Sequence, residues 1–210
     1  MDVSKLLAGM RIVPVVVIED PDSACSLAEC FLQAGIKTIE VTLRTDTALE
    51  SIRRIAAEVP DIVVGAGSLS SASQVEDVVN AGAQYAVAPG ATPRILDAVE
   101  NADLPFVPGA ATPSDMLQLL ERGYTVQKFF PAESAGGIDY LKSVGGPLPE
   151  VSFVPTGGVT PELAKDYLAL DNVFAVGGSW ISPGDLLRKG DFNAILGRAR
   201  DAYTLGAGNT

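Results

Sequence analysis

The sequence predicts an α/β protein, a single (β/α)8 TIM barrel formed by residues 1-210, because short apolar runs alternate with helix-like segments along its length. The runs are rich in β-branched residues, and their starts lie 20 to 27 residues apart. Eight of them occur, at 11-18, 38-43, 61-68, 85-90, 105-110, 125-132, 152-158 and 173-179. No linker or compositional break separates them, so we expect one domain.

An open, doubly wound sheet would also alternate strand and helix. Such sheets usually carry a glycine-rich dinucleotide turn after the first strand, whereas the first run here continues as IEDPDS (18-23). Eight units of nearly equal length favour the closed barrel.

The segments between the runs have the amphipathic pattern of helices, as in TALESIRRIAAEVP (47-60). Four of these helices are predicted to begin at a hydroxyl residue followed by proline. The hydroxyl group can accept a hydrogen bond from a free N–H group of the first turn, and proline lacks only an N–H group that would have no partner in the helix. These pairs are Thr92-Pro93, Thr112-Pro113, Thr160-Pro161 and Ser182-Pro183. Glycine is expected at helix C-termini, at Gly35, Gly82 and Gly123.

Composition excludes several classes of function. The net charge is -11 and the longest basic run is Arg53-Arg54, so neither nucleic acid nor an anionic membrane is an expected partner. The sequence contains no histidine, which rules out Ser-His-Asp and Cys-His catalysis and every histidine-containing zinc site.

The two cysteines, Cys25 and Cys30, match no redox or metal motif. A reduced, cytoplasmic protein is therefore expected. The N-terminal residues lack the pattern of a signal peptide, and no apolar stretch approaches 18 residues.

In a barrel of this type the active site lies at the carboxyl ends of the strands, which directs attention to Lys128 in TVQKFFPA (125-132). A lysine among apolar residues can extend along them to solvent, which is a structural role. If it points inward, burial disfavours its charged form and leaves free amine able to attack a ketone and form a Schiff base.

Alternate residues of a strand share a face, so Glu40 and Thr42 of the second strand, TIEVTL (38-43), lie on the same face. Arg44, two residues further along, continues that face. Glu40 fits either a structural ion pair inside the barrel or a proton shuttle. The planar guanidinium group of Arg44 is suited to a bidentate contact with a carboxylate. The alternative is that Arg44 is a solvated loop residue.

Glycine pairs end the last two strands, where barrels frequently bind phosphate through backbone N–H groups. We consider the following residues candidates for substrate contact: Thr156, Gly157, Gly158, Gly178 and Ser179. Ser68 offers a hydroxyl after the third strand, and Pro89 after the fourth strand can shape the mouth of the barrel, although turn formation explains Pro89 equally well.

Taken together, these segments resemble the motif series of the 2-keto-3-deoxy-6-phosphogluconate (KDPG) aldolase and 4-hydroxy-2-oxoglutarate (KHG) aldolase family. The resemblance extends from about residue 11 to residue 183, and EVTLRT and KFFPAE are its most specific motifs. In chain order the motifs are EVTLRT (40-45), VGAGS (64-68), PG (89-90), PGAAT (108-112), KFFPAE (128-133), PTGG (155-158) and GGSW (177-180).

The resemblance implies a class I aldolase that needs no metal or cofactor, is usually a homotrimer, and acts in Entner-Doudoroff carbohydrate metabolism. Lys128 would be the Schiff-base lysine, Glu40 the general acid/base and Arg44 the ligand of the substrate carboxylate. Thr156, Gly158, Gly178 and Ser179 would contact the distal or phosphate end. Ser68 stands where the family often has threonine.

The expected reaction is cleavage of KDPG, a phosphorylated 2-keto acid, to pyruvate and glyceraldehyde 3-phosphate. One alternative is a preference for KHG, giving pyruvate and glyoxylate, or for a related 2-keto-3-deoxy acid. A phosphosugar isomerase would share the barrel, but many of those use histidine. A non-catalytic barrel that binds a phosphorylated metabolite is the alternative from another class.

Overall fold

A computed structural model describes residues 3–207, in which parallel strands alternate with helices. The strands are β1 (Ile12–Val16), β2 (Thr38–Thr42), β3 (Val63–Gly67), β4 (Tyr85–Val87), β5 (Phe106–Val107), β6 (Gly109–Ala110), β7 (Val126–Phe129), β8 (Ser152–Pro155) and β9 (Val176–Gly178). The helices are α1 (Val3–Leu6), α2 (Ala24–Gln33), α3 (Ala48–Glu58), α4 (Gln74–Asn80), α5 (Pro93–Asn101), α6 (Pro113–Glu121), α7 (Gly137–Gly145), α8 (Pro161–Leu168), α9 (Gly184–Arg188) and α10 (Phe192–Ala207). A 3-10 helix (Pro21–Ser23) precedes α2.

The strands form a curled parallel sheet in two ladders. One has six strands in the order β5-β4-β3-β2-β1-β9, and the other has three in the order β6-β7-β8. All of these pairs are parallel. The order follows the chain and then joins the first strand to the last, without the reversal of a doubly wound sheet.

Proline explains why the run predicted at 105-110 appears as two short strands. Pro108 has no N–H group and cannot donate to a ladder, so β5 ends before it and β6 begins after it. The Pro108 carbonyl still accepts a hydrogen bond from the Lys128 N–H at 2.8 Å.

The ladders also approach each other between β8 and the residues before β9. Phe153 and Val173 form an isolated parallel bridge, and the Phe174 N–H donates to the Phe153 carbonyl at 2.8 Å.

Two apolar clusters form the core of the described residues. The larger one fills the layer between strands and helices and includes Ile39 and Val41, the outward residues of β2. The smaller one joins side chains from the strands, among them Val13 and Tyr85, with Val3 and Leu7 from the α1 region. Helix α1 has no counterpart in the predicted pattern, and it adds apolar residues to the core.

The predicted helix ends are confirmed at all positions but one. Thr92, Thr112 and Thr160 each accept a backbone N–H bond at a helix N-terminus. Gly35, Gly82 and Gly123 have positive φ angles of 91°, 90° and 87° directly after helices. The prediction for Ser182-Pro183 is wrong.

Helix α9 begins one residue later than predicted, so that Pro183 occupies the N-cap position and Ser182 lies outside the helix. The Ser182 hydroxyl is buried and has no hydrogen-bond partner among residues 3–207.

Both cysteines lie in α2 as free thiols. Within residues 3–207 no helix has the length and apolarity needed to cross a membrane.

Candidate active site

The centre of the candidate site is a buried pair of opposite charges. Lys128 comes from β7 and Glu40 from β2, and Lys128 Nζ lies 3.2 Å from Glu40 Oε1. Lys128 is 5% exposed and Glu40 is 2% exposed. They are the only charged side chains in the buried set of the described residues, so each is the counter-charge of the other.

The space for the Glu40 carboxylate comes from a glycine on the neighbouring strand. A Cβ atom at Gly67 would lie 2.2 Å from Glu40 Oε1, so any other residue there would displace the carboxylate. Gly65, in register with Glu40, likewise leaves room for the ring of Tyr85. Two glycines of β3 therefore admit two large inward side chains from neighbouring strands.

Lys128 differs from the other five lysines because all of those are exposed: Lys5, Lys37, Lys142, Lys165 and Lys189. Its Nζ lies 5.7 Å from the centroid of the Phe130 ring. Phe130 is joined to Pro131 by a cis peptide bond. The lysine therefore has one carboxylate and one aromatic ring as neighbours.

Arg44 and Ser68 meet at the ends of β2 and β3. Arg44 Nε donates a hydrogen bond to Ser68 Oγ at 3.1 Å. Arg44 is exposed, so its guanidinium is open to a ligand. Ser68 has a φ angle of 61°, a left-handed conformation that is uncommon without glycine and that occurs preferentially at functional sites.

The loop after β8 carries free backbone donors. The Ala132 N–H donates to the Thr156 carbonyl at 2.9 Å, and the Glu133 N–H donates to the Gly157 carbonyl at 3.1 Å. In a trans peptide the carbonyl and N–H groups point in opposite directions. The N–H groups of Gly157 and Gly158 therefore point away from residues 132-133, and neither donates to another group in the described part of the chain.

Glycine is required at both positions of this loop. Gly157 and Gly158 have φ angles of 101° and 80°. A Cβ atom on Gly157 would lie 3.3 Å from the Phe130 ring. Phe130 therefore contacts this loop as well as lying near the lysine.

Thr156 is buried beside β9, where a Cβ atom on Gly177 would lie 2.2 Å from its Oγ1. Gly178 makes room for the Trp180 ring in the same way, and Ser179 is exposed at the end of β9. These residues lie at the carboxyl ends of adjacent strands, as predicted.

Pro89 follows β4, and its backbone packs where a side chain on Gly109 would lie. Pro89 and Phe130 both line a cavity of about 660 Å³.

Sequence reasoning had not selected Phe130 or Gly67 as site residues. Phe130 lies in KFFPAE and Gly67 in VGAGS, but a phenylalanine in an apolar run and a glycine in a strand are equally typical of an ordinary core. Only the contacts of Lys128 and Glu40 distinguish them.

An amine hydrogen-bonded to a carboxylate in a dry interior is suited to covalent catalysis on a carbonyl. The carboxylate can take a proton from the ammonium group, and the free amine can then attack a ketone. No group of three or more Cys, Asp or Glu side chains within residues 3–207 is arranged to hold a metal ion.

A buried lysine hydrogen-bonded to a carboxylate inside a parallel α/β sheet is the arrangement expected of a lyase of the Schiff-base aldolase class. The family model for KDPG and KHG aldolases matches residues 3–197. The chain belongs to that family.

Named relatives agree with the family model. The chain is 43% identical over 197 residues to a 2-dehydro-3-deoxy-phosphogluconate aldolase of Pseudoalteromonas atlantica, covering 94% of this chain and 92% of the relative. It is 42% identical over 197 residues to the KHG/KDPG aldolase of Escherichia coli K12, again covering 94% of this chain and 92% of the relative.

Solved structures are similar in fold. The KDPG aldolase of Legionella pneumophila, with pyruvate captured as a covalent carbinolamine, is 38% identical with a TM-score of 0.92, covering 95% of this chain and 97% of that one. The Zymomonas mobilis KDPG aldolase with 3-phosphoglycerate is 36% identical with a TM-score of 0.93, covering 100% and 98%.

Proposed function

We propose that this protein cleaves KDPG to pyruvate and glyceraldehyde 3-phosphate through a Schiff base on Lys128. The observation that carries the proposal is the hydrogen bond between Lys128 and Glu40, which joins the only two buried charges of the described chain. The Legionella relative with covalently captured pyruvate supports the same chemistry.

Lys128 starts the reaction. A proton moves across the 3.2 Å contact to Glu40, and the neutral amine attacks the C2 ketone of the substrate. The resulting carbinolamine takes that proton back from Glu40 as its hydroxyl group leaves as water, which gives a protonated imine and restores the Glu40 carboxylate. Its positive nitrogen accepts the electron pair of the C3–C4 bond, which a ketone accepts far less readily.

Glu40 acts as the base and then the acid of bond cleavage. As a carboxylate it takes the proton of the C4 hydroxyl while the C3–C4 bond breaks, and the aldehyde product leaves. The remaining enamine takes a proton at C3 from Glu40, and water hydrolyses the imine to release pyruvate. One carboxylate close to both carbons is sufficient.

The two ends of the substrate would be held by different groups. Arg44 and Ser68, hydrogen-bonded to each other at 3.1 Å, would bind the C1 carboxylate. The free N–H groups of Gly157 and Gly158 would bind the phosphate, with Thr156, Gly178 and Ser179 beside them. Pro89 would form part of the mouth.

We also propose that the curled sheet is a closed (β/α)8 barrel forming one domain. Support comes from the pairing of β1 with β9, the Phe153–Val173 bridge, and the single-residue break between β5 and β6. That the protein is a homotrimer remains a prediction from the family resemblance, and that it is cytoplasmic remains a prediction from its two unpaired cysteines.

The test is a comparison of purified wild type with Lys128→Met, which removes the amine at similar length. We expect wild type to release pyruvate from KDPG and the variant to release none above background. Release by Lys128→Met at the wild-type rate would contradict the proposal.

A second candidate is cleavage of KHG to pyruvate and glyoxylate by the same site. It is favoured by the family model and by the Escherichia coli relative, whose name includes both substrates. Its substrate lacks a phosphate, so a ratio of kcat/KM values for KDPG and KHG distinguishes the two preferences.

A further inference from the structure

A tyrosine outside the proposed machinery is tied to the loop that would bind phosphate. Tyr167 of α8 is completely buried, and its hydroxyl donates a hydrogen bond to a carboxylate oxygen of Glu133. Burial, then the hydrogen bond to Glu133 and the charge of Glu133, raise the pKa of Tyr167, so the phenol stays protonated and remains a donor.

Glu133 in turn contacts both glycines of the loop. Its N–H donates to the Gly157 carbonyl at 3.1 Å, and a Cβ atom on Gly158 would lie 2.9 Å from its Cβ and Cγ. The position of Glu133 therefore determines the orientation of the Gly157-Gly158 peptide, and with it the direction of the free Gly158 N–H group.

The hydrogen bond also determines where the negative charge lies. A Cβ atom on Gly137, the first residue of α7, would lie 3.5 Å from both the Glu133 Oε1 and Tyr167 hydroxyl oxygens. The carboxylate is thus held at the start of a helix, where the helix dipole favours it. Without Tyr167, this exposed carboxylate could rotate toward a phosphate at the loop and repel it.

We propose that Tyr167, acting through Glu133, is a positioning residue that sets the affinity of the site for phosphorylated substrates. This inference rests on the proposed function, because it assumes that the glycine loop binds the phosphate of KDPG. The chemical step at Lys128 and Glu40 does not involve Tyr167.

The test uses Tyr167→Phe, which removes only the hydroxyl. We expect KM for KDPG to rise about tenfold, the size of one hydrogen bond to a charged group. The inhibition constant of inorganic phosphate should rise by a similar factor. For KHG, which has no phosphate, both kcat and KM should stay at wild-type values. The yield of the pyruvate adduct trapped by borohydride should also be unchanged.

Two further variants separate positioning from general damage. Glu133→Gln keeps an oxygen that accepts from Tyr167 and keeps the backbone contacts, so its KM for KDPG should stay below that of Tyr167→Phe. Tyr124→Phe is the matched control, because the Tyr124 hydroxyl donates to Glu100 at 3.1 Å at the opposite end of β7. It should leave all constants unchanged.

The outcomes distinguish the two proposals. Wild type that neither cleaves KDPG nor traps pyruvate would contradict the proposed function and this inference with it. Active wild type with an unaltered Tyr167→Phe, or equal losses for KDPG and KHG, would contradict this inference alone. The same KM increase in Tyr124→Phe would also overturn it.

Discussion

At the scale of single residues, the main feature is that Glu40 and Lys128 are buried together and apart from other charges. Burying an unpaired charge costs several kcal/mol, so removal of either partner would leave the other uncompensated. A pair maintained only for stability could be replaced by apolar residues. The proposed mechanism instead needs both groups, in different roles.

Substitution of Glu40 separates these roles. Glu40→Gln preserves size and hydrogen-bonding reach but removes basicity, so pyruvate imine formation at Lys128 should remain measurable. Exchange of pyruvate methyl protons with solvent and cleavage of KDPG should both fall by roughly 10²–10⁴-fold. NMR in deuterated water measures the exchange, and borohydride trapping measures the imine.

The ratio of the two effects is decisive, because forming the imine also requires proton transfers that Glu40 can assist. Exchange should fall at least as much as imine formation. If Glu40→Gln exchanges protons at the wild-type rate but fails to bind or cleave, Glu40 is an ion-pair partner and another base acts.

The sequence indicated Lys128 and Glu40 because a charged residue in an apolar strand is conspicuous. It did not indicate Phe130 or Tyr167, since an aromatic residue in an apolar run or on the buried face of a helix is typical of any core. Their roles depend on contacts between segments distant in the chain, such as the hydrogen bond from Tyr167 to Glu133.

At the scale of elements, the hydroxyl-proline pairs show how local sequence determines helix starts. Thr112 and Asp115 form a complete capping box, in which each side chain accepts a backbone N–H bond from the other residue. Ser182 precedes proline in the same way but caps nothing, and its buried hydroxyl lacks a partner in the described structure. The sequence pattern alone does not distinguish the two.

We therefore expect opposite results from two similar substitutions. Thr112→Ala should lower the free energy of unfolding by about 1 kcal/mol through loss of the cap. Ser182→Ala should leave it unchanged or raise it, because it removes an unsatisfied buried hydroxyl. Urea unfolding with a common m-value measures both. A cost for Ser182→Ala equal to that for Thr112→Ala would show that Ser182 has an unrecognised partner.

The order of strands and helices was predictable because apolar periodicity is a local property. The division of the fifth run at Pro108 was also encoded, by a residue without an N–H group, but the length of the run concealed it. Helix α1 was not predictable, since its four residues show no full period of amphipathic pattern.

At the scale of the whole molecule, the inner core contains a polar pair among apolar side chains. Tyr85 is completely buried, and its hydroxyl lies 2.9 Å from Thr38 Oγ1, which also bonds to the Val63 carbonyl. Burial, and then the charge of Glu40, raise the pKa of Tyr85 well above its usual range. The folded protein therefore retains a proton that the unfolded chain loses near pH 10.

This difference predicts a specific loss of stability at alkaline pH. Because the folded-state pKa is raised, the contribution of Tyr85 is complete below about pH 10 and declines above it by about 1.4 kcal/mol per pH unit. Urea unfolding between pH 9 and 11 should show a shallower decline for Tyr85→Phe than for wild type. Identical slopes would indicate that the phenol ionises without unfolding.

The central claim is that Lys128 forms the covalent bond to substrate, and trapping of that bond is the most direct measurement. Wild type incubated with pyruvate and borohydride should gain the mass of one reduced adduct, located by peptide mapping at Lys128. Lys128→Ala should gain none, although the five exposed lysines remain. An adduct on Lys142 or Lys165 with Lys128 unmodified would contradict the account.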